Sequence, residues 1–184
     1  MNKFFIEIGA CDFETCLPLA EAGWHGIVLE PNPDIFPYTR DLFKPYKNVM
    51  CVEAAVSDIN SSIELIKSKG THWVRGISHI YSDNHLGEKL CEYDKNKKNF
   101  GEVVRVDAIT LDGLIDSHRV ENIDFLKIDA QGHELNILRK FSFRVKPRTV
   151  KIEHQHCDDV ELLRILHKHG YHCWKESVDI YGIQ

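Results

Sequence analysis

Residues 4–14 read Phe4-Phe5-Ile6-Glu7-Ile8-Gly9-Ala10-Cys11-Asp12-Phe13-Glu14. An apolar, β-type run stops at a glycine and gives way to a short acidic loop. Strand runs with the same kind of ending follow along the chain. Gly26-Ile27-Val28-Leu29-Glu30 is broken by Pro31-Asn32-Pro33, and Val49–Val56 is closed by Ser57-Asp58. Ile123–Ile128 ends at Asp129, and Thr149–Ile152 ends at Glu153. Helix-like segments lie between them: Glu14–Ala22 with Gly23 as its stop, Asp34–Phe43, Thr110–Ser117 with Thr110 as N-cap, and Glu134–Phe141. Asp158 is a further N-cap, for Val160–His169, and Gly170 is its stop. The tail His172–Ile183 suits a closing hairpin around Ser177-Val178-Asp179. Alternation from end to end predicts an α/β fold, with a mostly parallel sheet and helices on both faces.

The rhythm breaks between residues 59 and 101. Ser61–Ile66 reads as a short strand, residues 71–84 as a polar loop, and Val103–Val106 as extended. Residues 59–105 are therefore expected to be a substrate-binding insertion in one domain spanning residues 1–184.

Composition narrows the function classes. The 184 residues are 43% hydrophobic and 28% charged, which suits a packed core rather than a disordered or fibrous chain. No apolar run is long enough for a membrane span. The start leads straight into the first strand, without a signal-peptide pattern. Lys and Arg total 23 against 28 Asp and Glu, a net charge of −5. That balance argues against a sequence-independent nucleic-acid binder. The one dense basic stretch, Lys95-Asn96-Lys97-Lys98, reads as a solvated loop. None of the six cysteines forms a C-x-x-C pair, so reduced thiols in a cytoplasmic protein are expected.

In a parallel α/β sheet, ligands bind beyond the carboxyl ends of the strands. The five ends here all carry an acid: Glu7, Glu30, Asp58, Asp129 and Glu153. They are expected to surround one ligand. A dinucleotide loop wants G-x-G-x-x-G, but Cys11 and Glu14 stand at its second and third glycine positions. A pyrophosphate would meet a cysteine side chain and the carboxylates of Asp12 and Glu14. A ligand with a cationic end and no phosphate fits better, and S-adenosylmethionine (SAM) is such a ligand. The acidic loop would hold its ammonium. Glu30 would take the ribose hydroxyls, and Asp58 the adenine amino group. The cofactor residues expected are Glu7, Gly9, Ala10, Cys11, Asp12, Thr15, Glu30, Pro31, Asn32, Ser57, Asp58 and Asp129.

At these residues the chain resembles a known family. Residues 5–12, the stretch Val28-Leu29-Glu30-Pro31-Asn32-Pro33, and Ala54-Ala55-Val56-Ser57-Asp58 look like FkbM-type methyltransferases. So does Thr110-Leu111-Asp112-Gly113-Leu114, and so does residues 123–134, with Lys127-Ile128-Asp129-Ala130-Gln131-Gly132-His133-Glu134 as their most specific part. The resemblance implies a SAM-dependent O-methyltransferase with a Rossmann-like, seven-stranded sheet whose last strand is antiparallel. It implies a hydroxyl acceptor on a sugar of a glycan or glycoside. The family commonly has Asn and Gly where this chain has Cys11 and Phe13, and Glu where it has Gln131.

Methyl transfer to a sugar hydroxyl needs alignment and removal of a proton. A divalent cation can help by lowering the hydroxyl pKa. Asp129, Glu153 and His154 would make a mixed oxygen–nitrogen site suited to Mg²⁺ or Mn²⁺, with His156 as a neighbour. The metal-free alternative uses a base from among Asp129, Glu153, His154 and His133. Residues 71–92 are the expected acceptor lid, with Trp73, Arg75, Ser78 and His79 as the sugar contacts, and His72, Tyr81 and His85 beside them. Two other classes stay open: a nicotinamide-dependent enzyme, and a non-catalytic SAM-binding or partner-binding domain.

Overall fold

The computed structural model describes residues 3–11, 15–68, 78–80 and 100–184. Five strands alternate with helices to lay down most of the main sheet: β1 (Phe4–Ile8), α1 (Leu17–Glu21), β2 (His25–Leu29), α2 (Phe36–Phe43), β3 (Val49–Val52), then β8 (Ile123–Ile128) and β9 (Pro147–Glu153). Between them run β4 (Ala55–Ser57), β5 (Ser61–Ser68), β6 (His79–Ile80), β7 (Phe100–Thr110) and α3 (Leu111–Ser117). After β8 come α4 (Glu134–Lys140), α5 (Asp159–Lys168), β10 (His172–Glu176) and β11 (Asp179–Ile183).

The main sheet has seven strands in the order β10-β11-β9-β8-β1-β2-β3. β3, β2, β1, β8 and β9 run parallel, and β11 enters antiparallel between β9 and β10. This is the doubly wound sheet expected from the alternation, with the antiparallel strand implied by the resemblance. Chain direction reverses its order at β1: β2 and β3 lie on one side, β8 on the other. The gap between β1 and β8 is therefore the switch point at which such sheets bind ligands.

Pleat parity explains the core. Ile6, Ile8, Ile27, Leu29, Leu126, Ile128, Val150 and Ile152 face Leu114, Leu135, Leu138, Leu162 and Leu166 on one side. Phe5 and Val28 face Cys16, Ala20 and Phe43 on the other. Burial on both faces is why β1 and β2 read as nearly continuous apolar runs. The caps were legible too: Thr110 Oγ1 accepts from Gly113 N at 3.0 Å, and Asp158 Oδ1 from Glu161 N at 3.1 Å.

The third strand departs from expectation. The run Val49–Val56 splits at Glu53-Ala54 into β3, which pairs with β2, and β4, which pairs in parallel with β7. β4 thus belongs to a second sheet, ordered β4-β7-β5-β6. The segment read as Val103–Val106 is an eleven-residue strand, because β5 pairs with it along its length. α1 begins only at Leu17 and α2 at Phe36, where Pro18 and Pro37 stand in the first turns. Lys67, buried on β5, pairs with Asp34 at 2.7 Å and Glu102 at 3.0 Å. It ties the second sheet to the loop after β2.

Candidate functional site

A cleft of about 580 Å³, counted out to its open mouth, lies at the switch point. β1 contributes Ile8 and Gly9, and the loops after β2 and β8 contribute Glu30, Asp129 and Gln131. Ala54, Ala55 and Val56 line it on the way into β4. Leu65 and Ile80, cross-strand partners in the second sheet, line it as well. One part of the wall is acidic and the rest is largely apolar.

The first turn needs a glycine for a steric reason. Gly9 has φ +72°, and a β-carbon there would come to 1.8 Å from the carbonyl oxygen of Asp129. Gly9 N and Ala10 N both donate to Leu29 O, at 3.0 and 3.1 Å. Asp129 N donates back to Ile8 O at 3.1 Å. The ends of β1, β2 and β8 are thereby sewn together under the cleft. Lys127 lies beneath them, buried, with Nζ 2.9 Å from Gly9 O, 3.3 Å from Glu7 and 3.6 Å from Asp129. Glu7 is buried too, and accepts from Cys16 N at 3.3 Å. Its work is to support Lys127 and the start of α1 rather than to line the cleft.

Glu30 lines the cleft but is only 5% exposed. Its Oε2 accepts from Cys11 N and its Oε1 from Asn32 N, both at 2.8 Å. Burial pushes its pKa up to about 7, against the pull of those two N–H groups. Asn32 Nδ2 donates to Ser78 Oγ at 3.2 Å, which brings Ser78 to the same cleft. Thr39 Oγ1 donates to Cys11 O at 2.9 Å. Thr15 is half-buried in the turn before α1.

Ser57, Asp58 and His133 form a second group. Ser57 donates its one proton to Asp58 Oδ1 at 3.0 Å, so its 2.9 Å bond to His133 runs from Nε2–H to Ser57 Oγ. Asn136 Nδ2 then meets the accepting Nδ1 at 3.4 Å. Burial holds the His133 pKa below its usual value, with Asp58 opposing. Both ring nitrogens are engaged, so His133 orients Ser57 and Asp58 and has no free nitrogen to act as a base. Since β4 has left the main sheet, Asp58 arrives from the second sheet and not, as expected, from the end of a third parallel strand.

At the other end of the cleft Asp129, Glu134 and Glu153 bring carboxylate oxygens within 4.8 Å of one another. Glu134 Oε1 accepts from Ala130 N at 2.7 Å and Oε2 from Gly132 N at 2.9 Å. Gln131, at φ +48°, donates Nε2 to Asp129 Oδ1 at 2.7 Å and to Glu153 Oε2 at 2.9 Å. Burial, then Asp129 and Glu134, push the Glu153 pKa up to about 9. Burial pushes Glu134 up to about 7.

This arrangement does not fit the expected metal set of Asp129, Glu153 and His154. The third carboxylate of the group is Glu134, not His154, and its oxygens are committed to backbone donors. His154 donates its backbone N–H to Val178 O at 2.8 Å, and its Nε2 is buried without a hydrogen bond. His154 is the first residue past β9, and it brings no ring nitrogen into the group formed by Asp129, Glu134 and Glu153. The histidine that feels Asp129 is His156: burial lowers its pKa, Asp129 raises it and His79 lowers it. His79 is buried on β6.

Asp12, Phe13, Glu14, Trp73, Arg75, His72, Tyr81, His85 and the basic stretch 95–98 lie outside the described residues. Glu134, Leu65 and Ile80 are site residues that sequence reasoning did not assign, and His156 entered it only as a neighbour of His154. Only Glu134 had a signal, as an acid five residues after Asp129 at the start of a helix.

The family model for the methyltransferase FkbM domain matches residues 7–173. No curated protein matches the chain. Among solved structures, a precorrin-6y C5,15-methyltransferase from Geobacter metallireducens GS-15 aligns with 100% of this chain and 82% of its own, at 15% identity and a TM-score of 0.45. The fibrillarin pre-rRNA processing protein of Methanococcus jannaschii aligns with 99% of this chain and 66% of its own, at 14% identity and a TM-score of 0.50. At that identity the likeness to fibrillarin speaks for the fold alone. The family match spans the Gly9 turn, Glu30, the Asp58 strand end and the Asp129–Glu134 loop, and by it the chain belongs to the methyltransferase FkbM domain family.

Proposed function

We propose that this chain transfers the methyl group of SAM to a hydroxyl oxygen, on a sugar of a glycan or glycoside. The observation that carries the cofactor reading is Glu30. Its carboxylate lies on the cleft wall, held at both oxygens by the N–H groups of Cys11 and Asn32. A rigid acceptor at the end of the second strand suits a pair of ribose hydroxyls. Asp58, oriented by Ser57 and His133, supplies an acceptor for the adenine amino group. Leu65, Ile80, Val56 and Ile35 supply apolar surface for a ring between them. The described wall carries acids and no lysine or arginine, which disfavours a phosphate-bearing dinucleotide.

Bound SAM supplies a methyl group already activated by its sulfonium. The protein's share is to align the acceptor and take its proton. When the C–O bond forms and the C–S pair stays on sulfur, the hydroxyl oxygen becomes strongly acidic. A carboxylate is then a sufficient base. Of the two acids on the described cleft wall, Glu30 is held at both oxygens by backbone N–H groups, which leaves Asp129 to accept that proton. Its position is held by Lys127 and Gln131. The sugar acceptor rests on the family resemblance, with Ser78 as the described polar group on the second-sheet side.

Thermal unfolding with S-adenosylhomocysteine, beside NADH, tests the cofactor. Product at about 100 times its Kd adds about 2.7 kcal/mol, or roughly 5–10 °C in Tm for a chain of this length. Transfer of labelled methyl from SAM to glycosides, as an alkali-stable ether, tests the acceptor. A shift with NADH alone overturns the cofactor reading. Labelled ester, amine or no product in the presence of bound SAM overturns the acceptor reading.

A further inference from the structure

We infer that the side-chain amide of Gln131 stands in the place a divalent cation would need, and so sets this site up to work without one. The inference rests on the O-methyltransferase reading and deepens it.

The amide nitrogen spends both its protons on the two acids a cation would bridge, at 2.7 Å to Asp129 and 2.9 Å to Glu153. A magnesium or manganese ion shared by the same oxygens would sit about 2.1 Å from each. The amide already occupies a lone pair on each of those two oxygens, so an ion bridging them has to compete with it for both. The remaining acids offer the ion little. Both oxygens of Glu134 take backbone N–H groups, and the Lys127 ammonium stands 3.6 Å from the outer oxygen of Asp129.

Nor does the amide swing away easily. Glu134 clamps Ala130 N and Gly132 N on either side of Gln131, whose own φ is +48°. Its Oε1 is buried without a hydrogen bond. Turning the amide over would press that oxygen against the Asp129 carboxylate and take away the donor Asp129 now holds at 2.7 Å. A carboxylate at position 131 would replace two donors by two acceptors among three existing acids. The compensation the group then lacks is a cation.

The test is Mn²⁺ uptake by the full chain, read from the loss of free-ion electron paramagnetic resonance signal, for wild type, Gln131→Glu and Gln131→Ala. S-adenosylhomocysteine binding is measured on each sample as a check of folding. The expected result is no uptake by wild type at millimolar Mn²⁺ and one ion per chain in Gln131→Glu. Methyl transfer by wild type is expected to be equal with and without chelator. One ion per wild-type chain, lost in Asp129→Asn, overturns the inference. So does absence of uptake by every variant, because something other than the amide would then exclude the ion. Should Gln131→Glu fail to fold, Gln131→Ala decides: uptake supports the amide's role, and none overturns it. A wild type that ignores both Mn²⁺ and the homocysteine product sinks the cofactor reading, while the Mn²⁺ uptake of the variants still judges the amide.

Discussion

The carbonyl oxygen of Asp129 occupies the space in which a side chain on Gly9 would begin, 1.8 Å from where its β-carbon would stand. Two strand ends 120 residues apart in sequence thus meet backbone to backbone under the cleft. Lys127 reinforces the meeting by donating to Gly9 O at 2.9 Å. The loop proposed to hold the cofactor and the acid proposed to take the proton are built as one unit.

Gly9→Ala is the first consequence. The obstacle is backbone rather than a flexible side chain, and φ +72° adds strain. A loss of roughly 3 kcal/mol or more is expected, visible as a large drop in Tm or as insoluble protein. A variant with wild-type Tm would show that β1 and β8 do not approach this closely.

Glu30→Gln tests the cofactor loop. An amide in place of the carboxylate presents a donor to Cys11 N or Asn32 N and leaves one buried N–H without an acceptor. About 1–3 kcal/mol is expected to be lost. Binding of S-adenosylhomocysteine, measured by calorimetry, should weaken roughly tenfold or more. Unchanged affinity would remove Glu30 from the ribose.

The acid group makes stability depend on pH. Folded Glu153 keeps its proton up to about 9, whereas the unfolded chain releases it near 4.5. The unfolded state therefore binds fewer protons in this window, and stability falls as pH rises through it. Glu30 and Glu134 act in the same direction up to about 7. Melting curves of wild type should decline from pH 5 to pH 9, and Glu153→Gln should flatten the upper half of that decline. A wild-type Tm that climbs over this range contradicts the assignment.

His133→Ala separates a positioning residue from a base. Loss of the bond to Ser57 Oγ frees Asp58 to reorient, so affinity for the cofactor product should fall about fivefold, from roughly 1 kcal/mol. The pH profile of kcat should keep its shape. A kcat reduced a hundredfold, with the fall in activity at low pH gone, would restore His133 as the base.

Much of the fold was legible because its causes are local. Continuous apolar runs in β1, β2 and β8, the caps at Thr110 and Asp158, and the stop at Gly23 are each decided by neighbouring residues. The strand-end acids could be named for the same reason. The sequence by itself thus determined a doubly wound sheet, the Gly9 turn, and two acids, Glu30 and Asp129, that line its cleft. Tertiary structure alone decided where β4 pairs, because parallel β7 competes for it from fifty residues away. It also decided that Glu134 and Gln131, rather than His154, complete the group around Asp129 and Glu153. The pairing of β8 with β9 and the clamped turn at φ +48° bring those groups together, and both depend on contacts between distant strands that no short stretch of sequence contains.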